Sequence, residues 1–251
     1  SFFRTVPEAF FAFQEQKVSA ILVPLENKIH GSVRETLDGL FTCDQLISAV
    51  FRLPIDFVLA GLPGSTKNDL HTIYSHEQGL SQCSLYLREN LREVDLLPVP
   101  STAAAIAHIL CEKDLGKAVI CSAEAAQKAK LDILAQDIAN SRENETWFAF
   151  LSREHQTFHP KKFILRSSIV FYFDQDSPGT LASVLQDYAE AKINLTKIES
   201  RPAGHNFGDY LFFLDFEGSI YNEKTQEVLE KTTKKVASMK ILGSYPVISE
   251  L

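Results

Sequence analysis

The sequence predicts an α/β protein in two parts, and three observations point there. Short apolar strands alternate with helical patterns up to about residue 150, the sequence form of a parallel or mixed sheet covered by helices. A polar, basic stretch, SREHQTFHPKKF (152–163), then interrupts the pattern, as a domain boundary does. Beyond it the order becomes strand, helix, strand, strand, helix, strand in about 80 residues, which is the ferredoxin-like split-βαβ plan.

In the first part the strands are SAILVPL, IDFVLAGL, VDLLPV and KAVICSA, with helices expected near 32–41, 75–91, 101–111 and 122–130. Each helix opens with a capping signal. Ser32 with Glu35 and Ser75 with Gln78 fit the capping-box spacing, Ser101-Thr102 precede an alanine run, and Ser122 precedes AEAA. Free N–H groups at such starts bind carboxylates without basic side chains. The stretch ILVPLENKIHGSVRETLDGL (21–40) runs from a strand into a helix, with Glu26-Asn27 at the strand end and Gly31-Ser32 just beyond. A strand's carboxyl end facing a helix start is where α/β proteins place small anions, so this segment is the first candidate wall of a ligand cleft.

In the second part SSIVFYFD (167–174) reads as a strand. A helix over 177–192 follows, with Ser177 at the cap, Pro178 in the first turn, and Leu181, Val184, Leu185 and Tyr188 on one face. NLTKIESRP is a strand stopped by Pro202, and Gly204, Asn206 and Gly208 form a turn region. In DYLFFLDFE, Tyr210, Phe212, Leu214 and Phe216 alternate on one face. A charged helix over 222–239 turns Val228, Leu229, Val236 and Met239 inward, and KILGSYP closes as the last strand.

With 251 residues, 45% hydrophobic and 23% charged, the chain has the composition of an ordinary globular protein rather than a disordered one. A net charge of −7 argues against a general nucleic-acid binder. No apolar run approaches a membrane span and no signal peptide is visible, so a cytoplasmic protein without a membrane partner is expected. Cys43, Cys83, Cys111 and Cys121 are scattered without metal spacing and read as reduced, mostly buried thiols. His155 and His159 are four apart beside Pro160, with no further ligand to complete a set, and no metal is expected. No nucleophile motif of the G-x-S-x-G kind is present.

The stretches VPLENKIHGSVRETLDGL, SHEQGLSQC, STAAAIAHI, NETWF, PGTLASVL, INLTKIESRP and ILGSYP fall in order across nearly the whole chain. Together they resemble the prephenate dehydratase family with its carboxy-terminal ACT regulatory domain. The resemblance implies a dehydratase domain at 1–152, two-lobed and periplasmic-binding-protein-like, with the active site between its lobes. A linker at 153–163 and a ferredoxin-like βαββαβ ACT domain at 164–251 would follow. It implies conversion of prephenate to phenylpyruvate, water and carbon dioxide, with no cofactor because ring aromatisation drives the reaction.

Carried over residue by residue, Thr146 is the catalytic hydroxyl, and Asn27, Ser75, Gln82, Ser101, Thr102 and Phe148 bind substrate. Phenylalanine as effector would lie between two ACT copies, at Gly179, Thr180, Leu181 and Ala182 with Asn194, Leu195, Glu199, Ser200, Arg201 and Pro202. A homodimer or homotetramer follows from that shared site. The chain departs from the family at Trp147, where an arginine is usual, at Lys28 and His30, and at Thr180, where alanine is more frequent. It also matches the family only after the first strand and Gly-rich turn, which are expected to be missing. An arogenate dehydratase of the same fold and a non-catalytic phenylalanine sensor are the alternatives.

Overall fold

A computed structural model describes residues 2–29, 31–54, 56–141, 144–154, 162–174, 177–202 and 210–250. His30, the histidines of the 152–163 stretch, and the turn at Gly204, Asn206 and Gly208 lie outside the described residues. The chain opens with α1 (Val6–Gln14), β1 (Ala20–Asn27), β2 (Gly31–Ser32), α2 (Arg34–Thr42) and β3 (Ile47–Pro54). Next come β4 (Val58–Gly61), β5 (Thr72–Ser75), α3 (Glu77–Gln82), α4 (Ser84–Asn90) and β6 (Asp95–Pro98). These lead to α5 (Thr102–Glu112), β7 (Lys117–Cys121), α6 (Ala123–Lys128) and β8 (Asp132–Ala135). The last run is β9 (Glu145–Ser152), β10 (Lys162–Tyr172), α7 (Thr180–Glu190), β11 (Leu195–Pro202), β12 (Tyr210–Glu217), α8 (Glu223–Lys235) and β13 (Ser238–Glu250).

Two compact units result: Ser1–Leu53 with Thr146–Leu251, and Pro54–Glu145. The first holds an eight-stranded sheet in the order β11-β12-β10-β13-β3-β9-β1-β2. The expected βαββαβ run is present, but its strands share this sheet with β1, β3 and β9, joined where β13 pairs parallel with β3. The compact units therefore cut across the division at 153–163 read from sequence texture.

The physical reason lies in β10 and β12. Ile169, Phe171, Leu214 and Phe216 pack with Val184, Tyr188, Val228 and Leu229 from α7 and α8. From the other face Val170, Leu211 and Phe213 join a core with Phe10 and Phe13 of α1 and Leu37 and Leu40 of α2. Both faces are buried, so the apolar runs IVF and LFFL do not alternate.

The second unit holds a mixed sheet in the order β6-β5-β7-β4-β8, with β5 parallel to both β6 and β7 and β4 antiparallel to β7 and β8. Val119, Cys121, Ala105 and Ile109 form one of its cores, and Ile73, Ala118, Ile120 and Leu87 form another.

Several local expectations are corrected. Ser32 is no cap: it sits in β2, and α2 starts after Val33 without a side-chain cap. Ser75 ends β5, and the cap of α3 is His76, whose Nδ1 accepts from the Gln78 N–H at 3.2 Å. The helix expected over 75–91 breaks at Cys83 into α3 and α4. Ser177 is replaced as cap by Gly179, whose φ of +93° an ordinary residue would adopt only under strain. The helix over 222–239 stops at Lys235, leaving Val236 and Met239 packed against the same core from outside it. Ser101 and Ser122 do cap, accepting from Ala104 N–H at 3.1 Å and Ala125 N–H at 3.2 Å.

Candidate active site

In the first unit, β1 and β9 run antiparallel, with Ile21, Val23, Ala149 and Leu151 in the core. Pro24 stands opposite Phe148, Glu26 opposite Trp147, and Asn27 opposite Thr146, so Leu25 is one extra residue, a β-bulge. A one-residue insertion moves every later side chain to the other face. Without it Asn27 would share the core face of Ile21 and Val23. With it Asn27 shares the face of Thr146 and Phe148.

The consequence is a hydrogen bond from Asn27 Nδ2 to Thr146 Oγ1 at 2.9 Å. The amide is oriented by its other end, because Oδ1 accepts from the Ile29 N–H at 3.1 Å. Asn27 is buried and Thr146 half-buried. A hydroxyl that accepts through oxygen still has its own proton to give, and accepting makes it the better donor. The segment after Asn27 is tied back by Val33 N–H to Leu25 O at 3.0 Å and by Thr36 Oγ1 to Pro24 O at 2.6 Å. On the core face, the Trp147 ring carries two guanidinium groups over it, Arg166 at 4.6 Å and Arg52 at 5.4 Å from its centroid. Where the family resemblance expected an arginine, an indole in contact with two arginines stands instead.

In the second unit the parallel strands β5, β6 and β7 bring their carboxyl ends to one edge of the sheet, where Ser75, Ser101 and Ser122 follow one another. Ser75 is fully buried and gives its proton to Ile120 O at 3.0 Å. Gly79 permits this, since a Cβ there would meet Ser75 Oγ at 2.5 Å. Gln82 is buried at the end of α3, and its Oε1 accepts from Asn144 Nδ2 at 3.0 Å.

Asn144, itself buried, stands two residues before Thr146, and the sequence reading passed over it although it opens the NETWF stretch. Thr102 is the first residue of α5, half-buried beside the exposed cap Ser101. Burial pushes the Cys83 thiol up to about 12 and Cys121 to about 11, so neither is a nucleophile at neutral pH.

Residues 1–156 match the family described as Prephenate dehydratase. The chain belongs to the prephenate dehydratase family. A prephenate dehydratase of Methanocaldococcus jannaschii is 37% identical over 227 residues, 90% of this chain and 80% of that protein. The chloroplastic arogenate dehydratase/prephenate dehydratase 2 of Arabidopsis thaliana is 33% identical over 250 residues, 95% of this chain and 64% of that protein. Among solved structures, the prephenate dehydratase of Arthrobacter aurescens in complex with L-Phe superposes with a TM-score of 0.84 at 31% identity, over 97% of this chain and 80% of that one. Family membership makes the chain a dehydratase of phenylalanine biosynthesis, a carbon–oxygen lyase.

The residues that prephenate dehydratases direct us to in the carboxy-terminal run lie on α7 and β11. Gly179 and Ala182 are exposed, Thr180 and Leu181 half-buried, and Thr180 Oγ1 donates to Ser177 O at 2.8 Å. Asn194 is exposed and Leu195 half-buried at the start of β11. Along β11 the set divides by face. Ser200 and Pro202 are exposed, whereas Glu199 and Arg201 turn to the other side. There Glu199 accepts from Ser32 Oγ, and Arg201 donates to both Asp38 oxygens, at 2.6 and 3.2 Å, and to Arg34 O at 2.7 Å. The Arg201 partner is Asp38 and not the neighbouring Glu199.

Proposed function

We propose that the chain converts prephenate to phenylpyruvate, water and carbon dioxide with the Asn27–Thr146 pair at the reacting hydroxyl. The observation that carries this reading is the 2.9 Å hydrogen bond from the Asn27 amide to Thr146 Oγ1. In the reaction the bond between the ring and its carboxylate breaks, its electron pair enters the ring, and the opposite carbon–oxygen bond breaks as the ring becomes aromatic. The departing oxygen carries the developing negative charge. A threonine hydroxyl is too weak an acid to surrender its proton, so its contribution is a hydrogen bond that strengthens as the charge grows. The hydroxide takes up a proton from solvent to leave as water.

Carboxylate recognition is assigned to the start of α5, where Ser101 occupies the Ala104 N–H and the main-chain N–H groups of Thr102 and Ala103 stay available for an anion. Phe148 offers an apolar edge on the strand face of Thr146. Ser75 and Gln82 serve this reading as braces, since their polar atoms hold Ile120 and Asn144.

The carboxy-terminal βαββαβ run is read as an ACT domain that takes phenylalanine between two copies of the chain, in a homodimer or homotetramer. The Arthrobacter relative, solved in complex with L-Phe, supports phenylalanine as the ligand. The exposed Gly179, Ala182, Asn194, Ser200 and Pro202 are the surface offered to it, while Glu199 and Arg201 act from behind. The Arabidopsis relative's name favours a second reading, in which arogenate replaces prephenate.

One assay separates the readings: product release from each substrate, phenylpyruvate from prephenate and phenylalanine from arogenate, with phenylalanine binding measured by calorimetry. Turnover of prephenate, changed by added phenylalanine, is the expected result. Phenylalanine binding without turnover of either substrate selects a sensor.

A further inference from the structure

Three residues alternate along one face of β11, Lys197, Glu199 and Arg201, and all three reach the segment that follows the β1 strand end. Lys197 is the most enclosed of them, its side chain 14% exposed, and a lysine so placed needs partners for its charge. Its Nζ donates to Glu26 Oε2 at 3.0 Å and to Ser32 Oγ at 2.5 Å, and lies 3.5 Å from Glu199 Oε2. Ser32 passes its own proton on to Glu199, so ammonium, hydroxyl and carboxylate form one directed chain.

The geometry matters because of what Lys197 holds. Among the described residues, strands β1 and β2 pair at two positions, Glu26 with Ser32 and Asn27 with Gly31, with the Val33 N–H to Leu25 O bond just beyond. So short a ladder does not sustain itself in water. Lys197 grips both strands at once, Glu26 from β1 and Ser32 from β2, immediately beside the Asn27 amide that reaches Thr146. Arg201 fixes the next turn through Arg34 O and Asp38.

We propose that Lys197 is a positioning residue of the dehydration: by clamping Glu26 and Ser32 it sets the Asn27 amide against Thr146. This rests on the reading that Asn27 and Thr146 serve the reaction.

The test compares Lys197→Met, which keeps the apolar stem and removes the charge, with Lys197→Arg. Amide hydrogen exchange of residues 24–37 and the kcat and KM for prephenate are the readouts. Lys197→Met is expected to speed exchange in that segment and to lower kcat by about 10²-fold, the scale of a misplacement near 1 Å, with a smaller change in KM. Lys197→Arg recovers most of both. If Lys197→Met does not fold, Glu26→Ala severs the β1 arm of the clamp and is read the same way.

Unchanged exchange overturns the proposal, as does an unchanged kcat in a chain whose turnover Thr146→Val lowers. A wild-type chain that turns over no prephenate overturns the functional reading and with it the catalytic half of the proposal. The exchange measurement then decides alone whether Lys197 holds the hairpin.

Discussion

Thr146 in the first unit and Ser75 in the second are both hydroxyls at strand ends in stretches that resemble family motifs, yet their protons go to different places. Ser75 gives its proton to Ile120 O and is sealed at 1% exposure. Thr146 accepts from Asn27 and keeps its proton, in a half-buried position. A hydroxyl whose donor is spent on the main chain stabilises the fold; one that only accepts is ready to act on a ligand. The largest effect that tests this contrast is Thr146→Val. Its kcat is expected to fall by roughly 10²- to 10⁴-fold, the range of a general-acid contribution, with thermal unfolding little changed. Steady-state turnover of prephenate reads it, and a variant as fast as wild type removes Thr146 from the mechanism.

Next in size is Trp147→Arg, which restores the residue usual in the family beside the threonine. Here the indole sits 4.6 Å from the Arg166 guanidinium and 5.4 Å from that of Arg52, and packs against the main core. An arginine would lose that packing and set a third positive charge against two others. A destabilisation of about 2 kcal/mol is expected, below the loss of a fully buried aromatic because the indole is half-buried, and chemical denaturation measures it. Equal stability would mean that the neighbouring arginines swing aside and that the difference between the two units does not extend to how Thr146 is supported.

How much of this was visible in the sequence differs from element to element. The βαββαβ order and the capping serines Ser101 and Ser122 are local features, and local residues carry them. Ser32 and Ser75 fit the same three-residue capping rule but are claimed by distant partners, Lys197 with Glu199 in one case and Ile120 in the other. No window of sequence contains those partners.

The box at Thr5 and Glu8, which starts α1, was readable and was passed over; Glu8 N–H donates to Thr5 Oγ1 at 3.3 Å. The unbroken run LFFL in β12 was also legible as a strand buried on both faces. Within the candidate site, Asn27 and Thr146 were named from the resemblance, while the bulge at Leu25 that brings them together is signalled locally only by Pro24, a residue that strands accept at edges and bulges. Lys197 stood in the quoted LTKIESRP but only its neighbours were taken up.

Ser75→Ala comes third. The expected cost is about 1 kcal/mol, the net worth of one buried hydrogen bond, because the Ile120 residue keeps its place in the β4–β7 ladder opposite Leu59. Denaturant unfolding measures it. A Ser75→Ala chain as stable as wild type but crippled in turnover would make Ser75 a substrate contact and erase the contrast with Thr146.

The smallest effect sharpens the comparison most, because Ser101 combines both kinds of hydroxyl. It caps α5 by accepting from Ala104 N–H at 3.1 Å, a structural task, yet it is exposed at the helix start assigned to a carboxylate. Ser101→Ala removes the cap at a cost of about 1 kcal/mol, which lowers the melting temperature by about 2–4 °C in a chain of this size. The main-chain donors of Thr102 and Ala103 survive the substitution, so the anion site is loosened and not deleted. The carboxylate assigned to these donors is the one on the side chain, which keeps its charge while the ring carboxylate leaves as carbon dioxide, so binding to them is alike in the ground and transition states. KM for prephenate should therefore rise a few-fold while kcat holds, the signature of uniform binding. If kcat falls instead and KM is untouched, the start of α5 acts on the transition state, and the second unit does chemistry as well as the first.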